Sequence, residues 1–388
     1  MNAPELHVRE HVPLAPRTTF GVGGPARYFI LIDAADQIPS AVRFARDKGL
    51  PFHVLGGGSN VVVSDEGVRG VVLCMAGKGI TLLEENPHRI RVNVAAGENW
   101  DRFVAYCVER GWWGVENLSW IPGTVGAVPV QNVGAYGQEA ADTVESVDVW
   151  DTRRDAFDVL SNRACSFGYR SSLFNTTEAG RHIITSVTFV LTTNGRPCLS
   201  YALVRDRVEK MMPGIWPRAR RSLRRHLPRA ASWLDALPPR PAIQSMREAI
   251  VGLRTDGRLP DVAVTGNAGS FFKNVRLSPS AFDALVSKVN DSLGAEAAGR
   301  IQSEGARFAG PSGYKLPAGV LVKLCGLSGA RYGGAALHPT NPTILINENG
   351  QAKASDIKAL ATAMIASVEQ ATGLRLHIEP QALGMAWP

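Results

Sequence analysis

Hydrophobic and polar positions follow two different periods along the first half of the chain, and each period predicts one kind of element. Runs rich in β-branched and aromatic residues predict short strands, whereas apolar residues spaced three or four apart predict amphipathic helices. The predicted strands lie at 26–33, 51–55, 61–65, 67–75, 89–96, 145–152 and 181–193. The predicted helices lie at 34–49 and 101–111, and each ends at a glycine.

The second half begins with a change of composition. Residues 202–257 are rich in proline and arginine and have no strand pattern, which marks a boundary. Beyond it the sequence predicts helices at 278–294 and 354–373, a strand and turn at 343–350, and a final strand at 374–380. The succession predicts an α+β fold: a glycine-rich first part, an inserted segment and a compact second domain.

The composition is that of a globular protein. A chain of 388 residues is long enough for two or three domains, and 45% apolar with 20% charged residues is typical of soluble proteins. No apolar run approaches the ~20 residues that span a bilayer. The first residues also lack the apolar core of a signal peptide. We therefore expect a cytoplasmic protein without a membrane partner.

The cysteines point to the same compartment. Five are present, and they are far apart and never in a C-x-x-C pair: Cys74, Cys107, Cys165, Cys198 and Cys325. This spacing argues against a zinc site or a disulfide framework. We expect free thiols in a reducing cytoplasm and no metal site.

The net charge of +7 is concentrated in one place, because residues 216–229 contain six arginines. Such a cluster could bind nucleic acid or a membrane surface, or it could be the solvated face of an inserted helix. Prolines stand near both ends, and no aromatic residues interleave with the arginines to stack bases. The solvated face is the favoured interpretation, and we expect no nucleic-acid partner.

Two glycine-rich stretches carry the first candidate chemistry. The first glycine loop (residues 56–60, GGGSN) joins two strands, and its successive N–H groups could form an anion-binding nest to which Ser59 and Asn60 add donors. A plain hairpin turn is the alternative. The Rossmann pattern and the P-loop are both excluded, because a strand follows and no G-K-[ST] is present. The second glycine loop (residues 121–139) is long and almost without periodicity, which is usually functional. Together the loops suit a long ligand with a central pyrophosphate.

Ser270 raises a separate question. In the stretch 266–274 (GNAGSFFKN) this single hydroxyl precedes two phenylalanines. It could be an incidental turn hydroxyl, because serine and glycine dominate turns. Alternatively, the apolar neighbours exclude water while the hydroxyl delivers a proton.

Seven motifs in fixed order, which include the two glycine loops and the stretch around Ser270, make the chain resemble the UDP-N-acetylenolpyruvoylglucosamine reductase (MurB) family over nearly its whole length. They are TTFGVGGPARYF, LGGGSNVVVSD, AAGENW, the second glycine loop, CSFGYRSSLF, GNAGSFFKN and GGAALHPTN, followed by LHIEP at the end. The resemblance implies a vanillyl-alcohol-oxidase-type FAD-binding domain made of two α+β subdomains, at 1–77 and 78–201. An inserted segment and linker at 202–257 and a smaller α+β substrate-binding domain at 258–388 would follow.

The resemblance also implies the ligands. FAD would be the cofactor and NADPH the reductant of an enzyme that reduces UDP-N-acetylenolpyruvoylglucosamine to UDP-N-acetylmuramate for peptidoglycan, and we expect this enzyme to be a monomer. The implied FAD-binding residues are Gly56, Gly57, Gly58, Ser59, Asn60, Pro122, Gly123, Thr124, Gly126, Asn132, Gly134 and Ala135. The implied substrate-binding residues are Tyr136, Tyr201, Arg258 and Asn274.

Three residues match the family's catalytic positions. Arg170 matches the arginine that binds the substrate carboxylate, Ser270 the proton donor, and Glu379 the acidic residue of an L-x-x-E-x-x-x-x-G pattern. Taken alone, Arg170 would more often be a surface ion pair and Glu379 an ordinary strand-end carboxylate. The insertion at 205–250 is longer than the resemblance leads us to expect.

Other functional classes remain open. A sister flavoprotein could share the FAD loops and reduce a different enolpyruvyl or sugar-nucleotide substrate, or it could be an oxidase. A protein that binds FAD without turnover is a second alternative. Nucleic-acid binding through residues 216–229 is the third.

Overall fold

The computed structural model describes residues 5–211, 242–257, 259–310 and 313–388. The strands are β1 Val8–Pro13, β2 Pro25–Ile32, β3 Phe52–Leu55, β4 Val61–Val63, β5 Val68–Met75, β6 Ile80–Glu85, β7 Ile90–Ala95, β8 Gly134–Ala135, β9 Gln138–Glu139, β10 Val144–Asp151, β11 Ala156–Ser161, β12 His182–Leu191, β13 Gly266–Ser270, β14 Val275–Leu277, β15 Ala309–Gly310, β16 Gly313–Leu316, β17 Arg331–Tyr332, β18 Ala335–Leu337, β19 Ile344–Asn347 and β20 Gln381–Leu383. The α-helices are α1 Ile38–Asp47, α2 Trp100–Glu109, α3 Ala202–Met211, α4 Ile243–Thr255, α5 Pro279–Leu293, α6 Ala295–Arg307, α7 Ala318–Leu324 and α8 Ala354–Thr372.

The first sheet has the strand order β1-β2-β5-β3, and its central strands run parallel. Alternate residues of β2 point to opposite faces, so that Ile30 packs with α1 on one face of the sheet whereas Phe29 packs with Leu55 and Val72 on the other. Burial on both faces explains the nearly continuous apolar runs of these strands. The strands and the helix predicted in this region are confirmed.

The second sheet is antiparallel in the order β11-β10-β12-β7-β6, with α2 against one face. The rings of Trp100, Phe103 and Phe189 form the centre of this core, with centroids 5.0–5.9 Å apart. Asn99 caps α2 by accepting a hydrogen bond from the Arg102 N–H at 2.9 Å. The edge strands β6 and β11 were not predicted from the sequence.

The segment at 202–257 is helical at both of its described ends. Helix α3 packs against α4 through Val204, Val208, Met246 and Ile250. Helix α4 is fixed to the second sheet's helix as well, because Arg247 makes two hydrogen bonds, of 2.7 and 2.8 Å, to the carboxylate of Asp101. The arginine-rich stretch 216–229 lies outside the described residues.

Strands β13 to β19 and helices α5 to α8 surround a third core. Strands β13-β19-β18-β17 form one sheet and β14-β16-β15 a smaller one, and α5 to α8 pack against them. Phe20, Val22 and Val62 from the first part of the chain belong to this core. The predicted helices at 278–294 and 354–373 are confirmed as α5 and α8. No helix among the described residues is long and apolar enough to cross a membrane.

The final strand predicted at 374–380 is wrong in position. This stretch is extended but makes only an isolated bridge between Ile378 and Phe272. The apolar position in its alternating pattern, Leu376, is buried in the third core, and this burial does not require hydrogen bonding to a neighbouring strand. The last strand is β20, three residues that pair in parallel with β4 immediately after the first glycine loop.

Candidate active site

A cavity of about 2000 Å³ lies where the three cores meet. Its walls come from both glycine loops, the end of α4, the end of β13 and the residues before β20. Most of the predicted FAD-binding residues line it: Gly56, Gly57, Gly58, Ser59, Asn60, Pro122, Thr124, Gly126, Gly134 and Ala135. So do Arg170, Ser270 and Glu379, together with Tyr136, Tyr201 and Asn274. Residues from distant parts of the sequence therefore meet in one place.

The two glycine loops are packed directly against each other. A Cβ atom on Gly57 would lie 2.7 Å from the Gly123 Cα, closer than side chains can approach. The Ser59 hydroxyl donates to the Pro122 carbonyl at 3.1 Å and links the loops further. Glycine at position 57 therefore serves contact between the loops, and not only approach to a ligand as the sequence suggested.

Thr124 indicates that this part of the cavity is built for a polar ligand. Its Oγ1 is buried and has no hydrogen-bond partner among the described residues. Buried hydroxyls are almost always hydrogen-bonded, so an oxygen-rich group in the cavity is the expected partner. The phosphates of a dinucleotide would supply such oxygens between the two loops, so the residues present fit this group.

Two predicted FAD-binding residues are not part of the wall. Asn132 is buried, and its amide nitrogen donates to the Glu139 carboxylate at 2.9 Å and the Gly168 carbonyl at 3.0 Å. This side chain is occupied in fixing the second glycine loop. Gly123 lies behind Ser59, and its Cβ position would be 2.8 Å from the Ser59 hydroxyl. Both residues support the wall from outside the cavity.

Arg170 and Glu379 form an ion pair in the cavity wall. The Arg170 Nε lies 3.1 Å from Glu379 Oε1, and its Nη2 donates to the Gly134 carbonyl at 2.7 Å. The Glu379 side chain is only 10% exposed. Nη1 of Arg170 makes no hydrogen bond among the residues that the structure describes, so it can still bind an anion.

The pKa of Glu379 is raised above its ordinary value. Burial is the largest cause, and it outweighs the lowering effects of Arg170 and Lys273. Lys273 is close because its N–H donates to the His377 carbonyl at 2.8 Å. A carboxyl group with a raised pKa exchanges a proton more readily near neutral pH, which is the property of a general acid or base.

Ser270 reaches the cavity through a bulge in β13. Between Asn267 and Ser270 the register against β19 shifts, and Gly269 takes a φ of +71° that only glycine adopts readily. Glu379 is a close neighbour, because its N–H donates to the carbonyl of Phe271 at 2.9 Å. The bulge and this hydrogen bond bring the predicted proton donor and the predicted acid to the same wall.

The surroundings of Ser270 differ from those that the sequence suggested. Phe271 and Phe272 point into the third core, and Ser270 itself is exposed to the cavity. The phenylalanines therefore fix the strand rather than shield the hydroxyl from water. The Ser270 hydroxyl has Thr343 Oγ1 as a neighbour at 3.5 Å. Among the described residues none covers the Ser270 hydroxyl, so ligands that fill the cavity would exclude water from it.

The predicted substrate contacts occupy different positions. Tyr136 and Tyr201 pack edge to face with centroids 5.7 Å apart at the cavity wall. Asn274 lines the cavity, but its Oδ1 accepts the N–H of Ala318 at the start of α7, at 3.1 Å. Arg258 lies outside the described residues.

Sequence reasoning missed several cations in the wall. Arg254 of α4 donates to the Trp120 carbonyl at 2.9 Å and hydrogen-bonds to Tyr136, and burial lowers its pKa. Lys315 lies 5.0 Å from the centre of the Tyr169 ring, and burial also lowers its pKa. The apolar spacing of α4 was the available signal for Arg254, but the proline-rich composition around it obscured that pattern.

All five cysteines are free. Among the described residues, no group of His, Cys, Asp and Glu side chains is arranged to hold a metal ion.

Comparison with known proteins identifies two family regions. Residues 26–154 match the family described as FAD binding domain, and residues 261–383 match the C-terminal domain of UDP-N-acetylenolpyruvoylglucosamine reductase. The cavity lies between these two regions and is lined by both.

Whole-chain relatives agree with these regions. UDP-N-acetylenolpyruvoylglucosamine reductase of Burkholderia cenocepacia is 37% identical over 96% of this chain and 95% of the relative. The reductase of the same name from Neisseria gonorrhoeae is 36% identical over 97% of each. The crystal structure of UDP-N-acetylenolpyruvylglucosamine reductase from Thermus caldophilus has a TM-score of 0.61 at 24% identity and covers 99% of this chain and 100% of its own, which shows a shared fold.

Proposed function

The chain belongs to the UDP-N-acetylenolpyruvoylglucosamine reductase family, and we propose that Arg170, Ser270 and Glu379 carry its reaction. The fold is α+β, with a vanillyl-alcohol-oxidase-type FAD-binding domain followed by a substrate-binding domain. The reaction is the FAD-dependent reduction of UDP-N-acetylenolpyruvoylglucosamine to UDP-N-acetylmuramate, a peptidoglycan precursor, with NADPH as the reductant. The meeting of Ser270 and the Arg170–Glu379 pair on one cavity wall carries the proposal.

The residues that would hold FAD are those of the two glycine loops. Backbone N–H groups of residues 56–60 and the unpartnered hydroxyl of Thr124 suit the oxygens of a pyrophosphate. When bound, FAD would supply the hydride that the enolpyruvyl double bond accepts.

Arg170 would stabilise the charge that hydride addition creates. Addition at the terminal carbon leaves negative charge on the neighbouring carbon, and this charge spreads into the adjoining carboxylate as an enolate. A cation fixed in place before the reaction stabilises such charge effectively, because it needs no reorganisation. Arg170 meets this requirement, since Gly134 and Glu379 hold its guanidinium while Nη1 remains available.

Ser270 would deliver the proton that completes the product. A serine hydroxyl is a weak acid, but a hydroxyl oriented beside a carbanion can transfer its proton. Glu379, with its raised pKa, would polarise the substrate carboxylate or hold a water molecule beside it. The bound ligands would have to exclude solvent, because Ser270 faces an open cavity.

The substitution Ser270→Ala tests this assignment. We expect flavin reduction by NADPH to be unchanged and flavin reoxidation by the enolpyruvyl sugar nucleotide to slow by about 10²-fold or more. Stopped-flow absorbance measures the two half-reactions separately. Equal loss in both half-reactions would contradict a role confined to proton donation.

The same experiment on the unmodified protein separates the alternatives. The reductase should lose its yellow colour with NADPH and regain it on addition of the enolpyruvyl sugar nucleotide. Reoxidation by oxygen alone would indicate an oxidase, and an absence of bleaching would indicate a protein that binds FAD without turnover.

The finer features belong to the same proposal. The sugar nucleotide would be contacted by Tyr136, Tyr201, Asn274 and Arg258. The chain would divide into two FAD-binding subdomains at 1–77 and 78–201, an inserted segment at 202–257 and a substrate-binding domain at 258–388. The separate sheets within 8–75, 80–191 and 266–347 support this division. We further propose a cytoplasmic monomer that binds neither nucleic acid nor membrane. Sedimentation velocity of the holoprotein tests the monomer.

A further inference from the structure

His182 has a buried nitrogen that nothing in the described protein explains. It is the first residue of β12 and lines the cavity together with Phe174, Gly180 and Ile184. Its Nδ1 is buried and has no hydrogen-bond partner among the described residues. Leaving such an atom unpaired is unfavourable, so a partner supplied by a ligand is the physical expectation.

The position of the imidazole is well determined. His182 pairs with Asp151 in the ladder between β12 and β10. The preceding residue, Arg181, makes hydrogen bonds of 3.0 and 2.6 Å to the Asp151 carboxylate. The ring also packs edge to face on Phe174, with centroids 6.1 Å apart. A ring held in this way presents Nδ1 in a fixed direction.

A short chain of hydrogen bonds connects strand β12, three residues after His182, to the second glycine loop. The Gly126 N–H donates to the Ala96 carbonyl at 2.8 Å, and the Ala96 N–H donates to the Thr185 carbonyl at 2.9 Å. His182 precedes Thr185 by three residues, which is about 10 Å along a strand at ~3.3 Å per residue. If the loops hold the pyrophosphate of FAD, His182 lies at the distance of an attached nucleoside.

We propose that His182 hydrogen-bonds the adenine base of FAD. The edge of adenine offers both an amino donor and ring-nitrogen acceptors, and a neutral imidazole can accept or donate at Nδ1 according to its tautomer. Burial lowers the pKa of His182 and so favours the neutral form. The inference rests on the FAD-binding part of the proposed function and requires no particular substrate.

The test compares apoprotein binding of three probes in the variant His182→Phe. Phenylalanine keeps a ring against Phe174 and removes both nitrogens. FAD and FMN binding is followed by flavin fluorescence, and ADP binding by calorimetry. We expect FAD and ADP to bind about 5- to 10-fold more weakly and FMN, which lacks adenine, to change by less than twofold.

Two controls make the result specific. His88→Phe makes the same change at an exposed histidine outside the cavity and should leave all three affinities unchanged. Thermal unfolding of each apoprotein checks that the variant folds. Equal weakening of FAD and FMN, or no weakening of FAD and ADP, overturns the inference. These measurements report cofactor binding and not turnover. A protein that binds FAD as expected but does not reduce the enolpyruvyl substrate would therefore contradict the proposed reaction and leave the inference about His182 intact.

Discussion

Arg170, whose guanidinium lies in the cavity wall, has a backbone φ of +52°. Residues other than glycine rarely adopt this conformation. Tyr136 and Trp120, also in the cavity wall, have φ values of +49° and +60°. Backbone strain of this kind persists only where surrounding contacts enforce it, and it is characteristic of functional sites. The carbonyl of Arg170 accepts hydrogen bonds from Asn175 and Lys273 at 3.3 Å each, and these contacts fix the residue.

Replacing Arg170 tests whether its planar shape or only its charge is needed. Arg170 binds Gly134 and Glu379 through two different nitrogens, which a lysine ammonium cannot reproduce. We expect Arg170→Lys and Arg170→Ala each to slow flavin reoxidation by about 10²–10³-fold, the effect of removing a preorganised donor. Stopped-flow reoxidation rates measure this, with reduction by NADPH as the control. A lysine variant with substantial activity would show that charge alone suffices.

At the residue scale, the sequence predicted those residues of the site whose chemically suitable side chains lie in short, recognisable motifs. Ser270, Arg170 and Glu379 lie in recognisable motifs and line one cavity, whereas their catalytic roles stay predictions. Arg254 and His182 were not predicted, because the pattern of a helix or strand can indicate the element but not which of its residues faces a cavity. Their significance comes only from the burial that tertiary packing imposes on them.

At the scale of elements, strand β20 connects the acidic residue to the first glycine loop. The Gln381 N–H donates to the Asn60 carbonyl at 2.9 Å, and the Asn60 side-chain amide contacts the Glu379 carbonyl at 3.5 Å. The backbone of position 381 therefore sets the spacing between the first glycine loop and the wall that carries Glu379, while its side chain is exposed.

The pair Gln381→Pro and Gln381→Ala isolates this backbone bond. Proline removes the N–H, whereas alanine retains it and removes only the side chain. We expect the proline variant to bind FAD about tenfold more weakly, since one backbone hydrogen bond and the alignment of residue 60 are lost. Flavin fluorescence of the reconstituted apoprotein measures the affinity. Similar losses in both variants would assign the effect to the side chain.

A second link between elements is the cap on α8. The Asp65 carboxylate accepts the N–H groups of Ala354 and Ser355 at 2.7 and 3.0 Å. Burial alone would raise the pKa of Asp65, but the hydrogen bonds from Ser355 and Ala354, with the charge of Lys353, lower it. The cap joins the end of the first glycine-loop region to the last long helix.

The pKa shift gives the cap a definite pH dependence. A lowered pKa in the folded state stabilises the protein above the ordinary aspartate pKa, and this contribution is lost as the pH falls below about 4. We expect Asp65→Ala to reduce the free energy of unfolding by about 1 kcal/mol at pH 7. Thermal unfolding at several pH values should show the difference from the unmodified protein shrinking with acid. A difference independent of pH would contradict an ionised cap.

Elements with a strong local pattern were predictable, and those defined by distant partners were not. Helices α1, α2, α5 and α8 carry an apolar face and an end signal within their own sequences. Strand β20 has three residues and exists because β4 lies beside it, so no local pattern reveals it. The prediction of a strand at 374–380 was wrong for the opposite reason. Its apolar and polar residues alternate as in a strand, but no neighbouring strand pairs with it, so the chain there is only extended.

At the scale of the whole molecule, the cavity is shared among units that are each stabilised by a separate core. Strand β3 and the first glycine loop contribute residues 52–60. The second glycine loop and α4 contribute a second wall, and the C-terminal unit contributes Ser270 and residues 378–383. The described surfaces of these walls carry polar groups such as Thr124 and His182 that lack protein partners. A ligand that satisfies these groups should therefore stabilise the walls together.

Removing FAD should consequently loosen the walls and leave remote packing intact. Binding at a free concentration of 100 times Kd contributes about 2.7 kcal/mol to the folded state, so the apoprotein should unfold at a lower temperature. Hydrogen exchange resolves where this occurs. We expect faster exchange in the apoprotein at residues 56–60, 121–139 and 379–383, and unchanged exchange in α5 and α6, which do not line the cavity. Adding FAD back should restore protection at all three wall segments. Protection that changes equally in α5 and α6 would mean that the cofactor stabilises the fold as one unit, whereas protection restored at only one loop would mean that the cavity does not close around a single ligand.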